Sequence, residues 1–174
     1  GSTAQRVIRA ADRPVFVATG EDPIPDALQG THWFVGTDFS ESSLSAVSWA
    51  KRAAARVNGQ LHIANVVIPA GGEDKPDEER TWRQVLRDQS KLEAGKKLAA
   101  YAQEHAPHAQ IHQVVSPDYA SHALCDAAQE AGADVMVVGT HAQGLLGRLL
   151  VGSTASRCLR IAPVPVLMVP EQAR

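Results

Sequence analysis

Residues 137–170 read VVGTHAQGLLGRLLVGSTASRCLRIAPVPVLMVP, and this stretch decides the fold. It opens inside the run 135–139 (VMVVG) and closes on the run 165–169 (PVLMV). Neither run alternates apolar with polar residues, which is how strands covered on both faces of a parallel sheet read. Between them lie a Gly-rich loop and a helical pattern over 153–161, stopped by Pro163. Two buried strands joined through a helix form a right-handed βαβ unit.

Working outward, three more apolar runs fall at 32–36 (HWFVG), 61–68 (LHIANVVI) and 111–115 (IHQVV). Between them the period changes to about 3.6 residues. Leu44, Val47, Ala50, Ala54 and Val57 share one helical face, entered through Ser40 as N-cap and left at Gly59. A longer helix follows, with Trp82, Val85, Leu86 and Leu92 as its expected apolar stripe. A third helix covers 119–130 and is closed by Gly132. Strands alternating with helices predict an open α/β domain of five parallel strands with helices on both faces. The segment 69–79 (PAGGEDKPDEE) reads as an exposed loop, either a lid over a ligand or simply solvated chain.

Composition narrows the function classes. The 174 residues are 44% hydrophobic and 21% charged, the balance of one soluble domain with a sizeable core. A net charge of -2 offers no basic surface for nucleic acid. Trp33, Trp49 and Trp82 are too scattered for a base-stacking platform. No apolar run approaches the roughly 20 residues of a membrane span, and residues 1–13 lack the apolar core of a signal peptide. Cys125 and Cys158 lack ligand spacing and are expected as free thiols in a reducing cytoplasm. His105, His108 and His112 lie close in sequence, but Pro107 splits them. They are expected as solvated histidines at a helix–strand junction, with no metal assigned.

The N-terminus repeats the C-terminus. GSTAQRVIRAADRPVFVA (1–18) lies without a gap on GSTASRCLRIAPVPVLMV (152–169), with identities from Gly1/Gly152 to Val15/Val166. The expected organisation is therefore 1–30 as a partial repeat of the last helix and strand plus a linker, GEDPIPDALQG, followed by a domain over 31–170. Either the chain is the second half of a tandem protein, or the spare piece has its own structural use. In both cases residues 14–18 are expected as an extra strand beside 165–169, covering a sheet edge.

Two stretches could carry chemistry. At Gly152-Ser153-Thr154 a helix starts just after a Gly-rich loop. Its free N–H groups, dipole and hydroxyls make a phosphate seat, although Ser153 as a plain helix cap explains the same residues. The second stretch is Gly36-Thr37-Asp38-Phe39-Ser40 at the carboxyl end of the first parallel strand, where open α/β sheets take ligands. Asp38 suits hydrogen bonds from a ribose or an adenine edge, or a metal bound to phosphate; it also suits the first turn of the next helix. Neither GxGxxG nor a P-loop is present, so fast phosphoryl transfer is not indicated. His141 lies in the phosphate-side loop. A Ser153–His141–Asp38 nucleophilic set can be drawn, but no GxSxG elbow supports a hydrolase.

Taken together, residues 31–170 resemble a universal stress protein domain. The likeness rests on TDFSESSLSAVSWA, LHIANVV, GADVMVVGTH and the GS-helix-PVLMVP ending, in that order. It implies a Rossmann-like, adenine nucleotide alpha hydrolase-like sheet in the order 3-2-1-4-5, with dimers or tandem domains joined through the last strand. It also implies ATP, with Mg²⁺ as a companion ion, in a cytoplasmic regulatory or stress-response module whose enzyme activity is at most slow ATP hydrolysis. Asp38 would stand near ribose or base, beside the Gly36 and Thr37 backbone, and Val66 would offer main-chain groups to adenine. Gly139, His141, Ala142, Gly152, Ser153 and Thr154 would surround ribose and phosphates. The ATP-binding pattern G-x2-G-x9-G-S/T runs from Gly139 to Ser153, with Ala142 in place of its second Gly. The alternative is a relative without nucleotide that works through protein contacts.

Overall fold

The computed structural model describes residues 2–18, 32–68, 77–116, 119–140 and 151–171. Six strands, β1 (Val15–Val17), β2 (His32–Gly36), β3 (Gln60–Val67), β4 (Gln110–Val115), β5 (Val135–Gly139) and β6 (Val166–Val169), form one sheet in the order β1-β6-β5-β2-β3-β4. Strands β2 to β6 pair in parallel, and in chain order they have the 3-2-1-4-5 arrangement. The helices are α1 (Ser2–Ala10), α2 (Glu41–Arg56), α3 (Asp77–His105), α4 (Ala120–Glu130) and α5 (Ser153–Ile161).

The sheet thus has six strands, the five expected parallel ones and the extra strand expected over 14–18. The added strand is β1, antiparallel to β6, with Val15 opposite Met168 and Val17 opposite Val166. The N-terminal echo thus folds as its C-terminal counterpart does, helix then strand, and lies along the β6 edge.

Period-two alternation sorts the strand residues into two cores. Trp33, Val35, Ile63, Val135 and Val137 face Val47 and Ala50 of α2 and Leu98 and Ala102 of α3. Phe34, Met136, Val138, Val166 and Met168 face Leu124 and Ala128 of α4, Ala155 and Cys158 of α5, and Ile8 of α1. Burying side chains of this size contributes about 1.5–3 kcal/mol each, so the unbroken apolar runs are what a doubly covered sheet demands.

Local chemistry sets the helix ends. Ser40 is the N-cap of α2, its Oγ accepting from the Ser43 amide at 3.2 Å. Asn58, at φ 50°, takes the left-handed position after α2, so it and not Gly59 turns the chain; the Gly59 amide then donates to Ala54. Gly132 plays that part after α4, at φ 63°.

The apolar stripe expected on α3 is also corrected. Val85, Leu86 and Leu92 are exposed, and the docked face runs through Leu98 and Ala102. A helix of 29 residues is about 43 Å long at 1.5 Å per residue and outruns the sheet. Among the described side chains its buried contact with the sheet comes from Leu98 and Ala102, in its C-terminal half; the side chain of Trp82, the remaining member of the expected stripe, lies outside the described residues.

Candidate functional site

The parallel strands on either side of β2 continue in opposite directions, to β3 and to β5, so the loops leaving β2 and β5 part at their carboxyl ends. After β2 the chain is tied down at once. The Thr37 amide donates to the Ala64 carbonyl at 2.8 Å, and Asn65 Nδ2 donates to the Thr37 carbonyl at 2.8 Å. Thr37 Oγ1 accepts from the Phe39 amide at 3.0 Å and lies 3.0 Å from Ser43 Oγ. Phe39 is held at φ 65°, a strain of about 1–3 kcal/mol for a bulky residue. Its ring is gripped on edge by Tyr101, with Lys97 Nζ 4.2 Å from its centroid.

This frame fixes Asp38 at the mouth of the crevice. One carboxylate oxygen accepts from the Ser40 amide at 3.0 Å and from Ser40 Oγ at 2.5 Å. The second oxygen has no hydrogen-bond partner among the described residues, and the side chain is exposed. The two readings of Asp38 are thus compatible: one oxygen braces the helix start while the other stays available.

Val66 follows from strand geometry. In a parallel strand, successive residues direct their N–H and C=O to opposite neighbours. Ala64 bonds toward β2 through Thr37, and Val67 bonds toward β4 through Ser116. Val66 therefore points its pair toward β2, but β2 has ended at Gly36, opposite Ala64. Its amide and carbonyl face the crevice.

The β5 side supplies the opposite wall. The Gly152 amide donates to the Thr140 carbonyl at 2.7 Å, and the Thr140 amide donates to Val169 at 3.0 Å, so the start of α5 is pinned beside the end of β5. Gly152 is the N-cap of α5 and brings no side-chain cap. Ser153 is the first helical residue and is exposed, which corrects its reading as the cap.

A cavity of about 130 Å³ joins the two walls. Gly36, Thr37, Asp38 and Val66 line one side; Gly152, Thr154 and Ala155 line the other, with Leu124 and Val138 as apolar surfaces. Next to it opens a cavity of about 550 Å³ that shares Ala120 and Thr154 and also takes in Ser153. Six of the ten expected site residues thus meet in the first cavity, and Ser153 lines the second. Gly139 stands apart for a packing reason: a Cβ there would lie 2.6 Å from Ser42 Oγ and 2.7 Å from the Ser42 carbonyl oxygen. It lets α2 press against β5. His141 and Ala142 lie outside the described residues, as does the His141 member of the drawn nucleophilic set. Sequence reasoning missed Asn65, Leu124 and the α4 start; the apolar stripe of 120–130 was visible, but not its place over this crevice.

A second polar cluster lies on the α4 and α5 face, toward the strands' amino ends. His32 Nδ1 is 3.2 Å from His62 Nε2, and His62 Nδ1 is 3.0 Å from His112 Nε2, a row of three rings across β2, β3 and β4. Burial first, then the neighbouring His112 and His32, hold His62 below the usual histidine value; burial lowers His112 likewise. This corrects the reading of His112 as solvated. No group of three or more His, Cys, Asp or Glu among the described residues is arranged to hold a metal ion.

The fold and crevice define a doubly wound α/β domain whose parallel sheet opens, at its switch point, where such sheets take ligands. Residues 32–170 match the model of the universal stress protein family. The chain belongs to that family. It is 31% identical to a universal stress protein of Mycolicibacterium smegmatis over 174 residues, covering 97% of this chain and 55% of that protein. A Mycobacterium tuberculosis universal stress protein is 33% identical over 136 residues, covering 75% of this chain and 45% of that protein. The chain thus spans about half the length of the curated relatives it matches. Among solved structures, a universal stress protein family member from Burkholderia pseudomallei is similar at 26% identity and TM-score 0.60, over 82% of this chain and 97% of that one. A universal stress protein in complex with cAMP is similar at 30% identity and TM-score 0.52, over 82% of this chain and 98% of that one. No helix among the described residues is long and apolar enough to cross a membrane.

Proposed function

We propose that the crevice binds an adenine nucleotide, ATP with Mg²⁺ foremost, and that the chain is a cytoplasmic regulatory stress-response module with no dedicated enzyme activity. The observation that carries this reading is the meeting, in one cavity, of the Val66 main-chain pair, the open oxygen of Asp38 and the uncapped start of α5. These groups fit the ligand. Val66 offers a donor and an acceptor to the adenine edge, between the apolar surfaces of Leu124 and Val138. Asp38 accepts from ribose hydroxyls beside Gly36 and Thr37. Gly152, Ser153 and Thr154 present backbone N–H groups and hydroxyls to phosphate; Gly139, His141 and Ala142 are assigned to the phosphate side by the sequence motif alone. Mg²⁺ is held largely by phosphate oxygens and water, so it needs no protein cage of its own. The cAMP complex of a relative supports an adenine nucleotide as the ligand class.

Bound nucleotide acts by favouring one arrangement of the loops and the β6 edge over another, which requires different affinities for the two. We read residues 1–30 as the tail of a preceding tandem domain and its linker, and 31–170 as the nucleotide-binding domain. The partner at the β6 edge is then that preceding domain, through the strand β1 that already pairs there. A second reading, a relative that works through protein contacts alone, is favoured by Ala142 in the position of a motif glycine.

Calorimetric titration with ATP and Mg²⁺ tests the first reading. Micromolar binding that Asp38→Ala weakens supports it. No binding by a folded chain overturns it and leaves the second.

A further inference from the structure

The two edges of the sheet differ. The β6 edge is covered by β1, while β4 ends the sheet with no strand beyond it among the described residues. The Ser116 amide donates inward to the Val67 carbonyl at 3.1 Å. Successive residues of a strand turn their main-chain groups to opposite sides. Gln110, His112 and Val114 therefore bond inward to β3, and Ile111, Gln113 and Val115 turn their N–H and C=O groups outward. Residues 110–115 (QIHQVV) hold neither a proline nor a lysine, the usual guards of an open edge.

This edge is one wall of a cavity of about 610 Å³, and α4 is the other, through Ala123, Asp126, Ala127 and Glu130. His112 and Val114 turn their side chains to the α4 side, His112 beside the Phe34 ring and Val114 against the core there. Gln113 turns the other way, its side-chain amide donating to the Lys91 carbonyl of α3. Ile111 and Val115 share that face of the pleat and are exposed. Asp126 and Glu130 are exposed too, and among the described residues neither is in an ion pair. Burial holds His112 below the usual histidine value, so it is neutral at pH 7 and the cavity keeps its negative charge.

We infer that the β4 edge and α4 form a docking groove for an extended segment of another protein, which adds to the sheet as a further strand and carries cationic side chains at alternate positions. Two lengths agree. Asp126 and Glu130 are four residues apart on a helix, about 6 Å along its axis, and alternate side chains of a strand are about 6.6 Å apart. Successive side chains on one face of the guest thus meet one carboxylate each, while those between them are apolar and lie over Ile111 and Val115. Main-chain bonds to Ile111, Gln113 and Val115 supply affinity, and the carboxylates supply selection. A second copy of this chain suits the edge less well. Antiparallel pairing of two β4 strands keeps both α4 helices on one face of the joined sheet and sets Asp126 and Glu130 against their own counterparts. The groove shares no lining residue with the crevice of Asp38 and Val66, so the inference stands apart from the nucleotide reading.

The test is fluorescence anisotropy of the labelled, acetylated peptide Lys-Val-Lys-Val-Lys-Val-Lys with the folded chain in nucleotide-free buffer. Two further peptides are controls, one with Glu in place of every Lys and one with every backbone amide N-methylated, which keeps the charge and prevents strand pairing. The protein variants are the double substitution Asp126→Asn with Glu130→Gln, and Val115→Pro, which removes one outward donor at an edge position that accepts proline. Circular dichroism confirms that each is folded. The lysine peptide is expected to bind wild type, and to bind each variant about fivefold more weakly; neither control peptide binds. A lysine peptide that fails to bind, or that binds either variant as tightly as wild type, overturns the proposal. An N-methylated peptide that binds as tightly as its parent reduces the groove to a charged surface and overturns strand addition. Sedimentation covers the other occupant: a wild-type dimer that Val115→Pro converts to monomer gives the edge to a second copy, and the proposal falls.

Discussion

Ser40 Oγ donates to Asp38 at 2.5 Å while accepting from the Ser43 amide at 3.2 Å, so a single hydroxyl both starts α2 and aims the carboxylate of the crevice. Stability and ligand affinity therefore separate by residue. Ser40→Ala removes the cap and is expected to cost about 1 kcal/mol, read as a lower urea midpoint with an unchanged slope. Asp38→Ala removes the acceptor of two Ser40 bonds at an exposed position and is expected to lower that midpoint by less than Ser40→Ala does, while ATP affinity falls. A midpoint that drops as far in Asp38→Ala as in Ser40→Ala, with ATP affinity unchanged, makes bracing the whole role of Asp38.

Two glycines forecast different losses. Gly139→Ala drives a Cβ against the backbone of Ser42, whose carbonyl oxygen and carbon lie 2.7 and 2.8 Å from its position. Overpacking of this kind costs about 1–3 kcal/mol, and Ser42→Ala in the same chain does not repair it, because the backbone remains. Gly132→Ala meets nothing within 4 Å and suffers only from its φ of 63°, about 1–2 kcal/mol. Urea titration of the three variants checks both.

The histidine row makes stability depend on pH, and the sign follows from the lowered values. In the unfolded chain His62 and His112 return to the usual 6.5, so between that value and their folded ones the unfolded state holds more protons. Stability is full above about pH 6.5 and is lost as pH falls through the folded values. Facing groups are His32 on β2, and Asp126 and Glu130 of α4, which line a cavity with His112. His62→Gln is expected to flatten the decline in urea midpoint between about pH 7 and 5; an equally steep decline would place its origin elsewhere.

Removing residues 1–30 takes β1 off the edge of β6 and uncovers the backbone of Val166–Val169. An open edge invites pairing with another chain. The truncated chain is expected to self-associate at concentrations where the full chain does not, as measured by sedimentation. An unchanged mass for a folded truncated chain would mean that β1 is not what keeps the edge covered.

The sheet was legible because its residues are buried on both faces. Runs such as VMVVG leave few alternatives, and 32–36 and 135–139 fall on the strands β2 and β5 residue for residue. The β1–β6 pairing was legible through the internal repeat. What failed did so where sequence neighbours do not decide the environment. Val85, Leu86 and Leu92 have helical spacing, yet nothing in a local window tells that α3 outruns the sheet. The crevice came through as two loops and one strand end, since Asp38, Val66 and Thr154 each sit at a carboxyl end or a helix start. Leu124 did not, because apolar helix residues gain meaning only from what the helix lies against.

The three rings of His32, His62 and His112 have a further consequence. A neutral imidazole donates at one nitrogen and accepts at the other. With His62 bonded on both sides, its choice of tautomer dictates which way both neighbours must point. The neutral row therefore has two proton arrangements, opposite in polarity. Going from one to the other admits a proton at His32 Nε2 and releases one from His112 Nδ1, or the reverse. The orientation of the whole row therefore turns on the tautomer of one ring, His62.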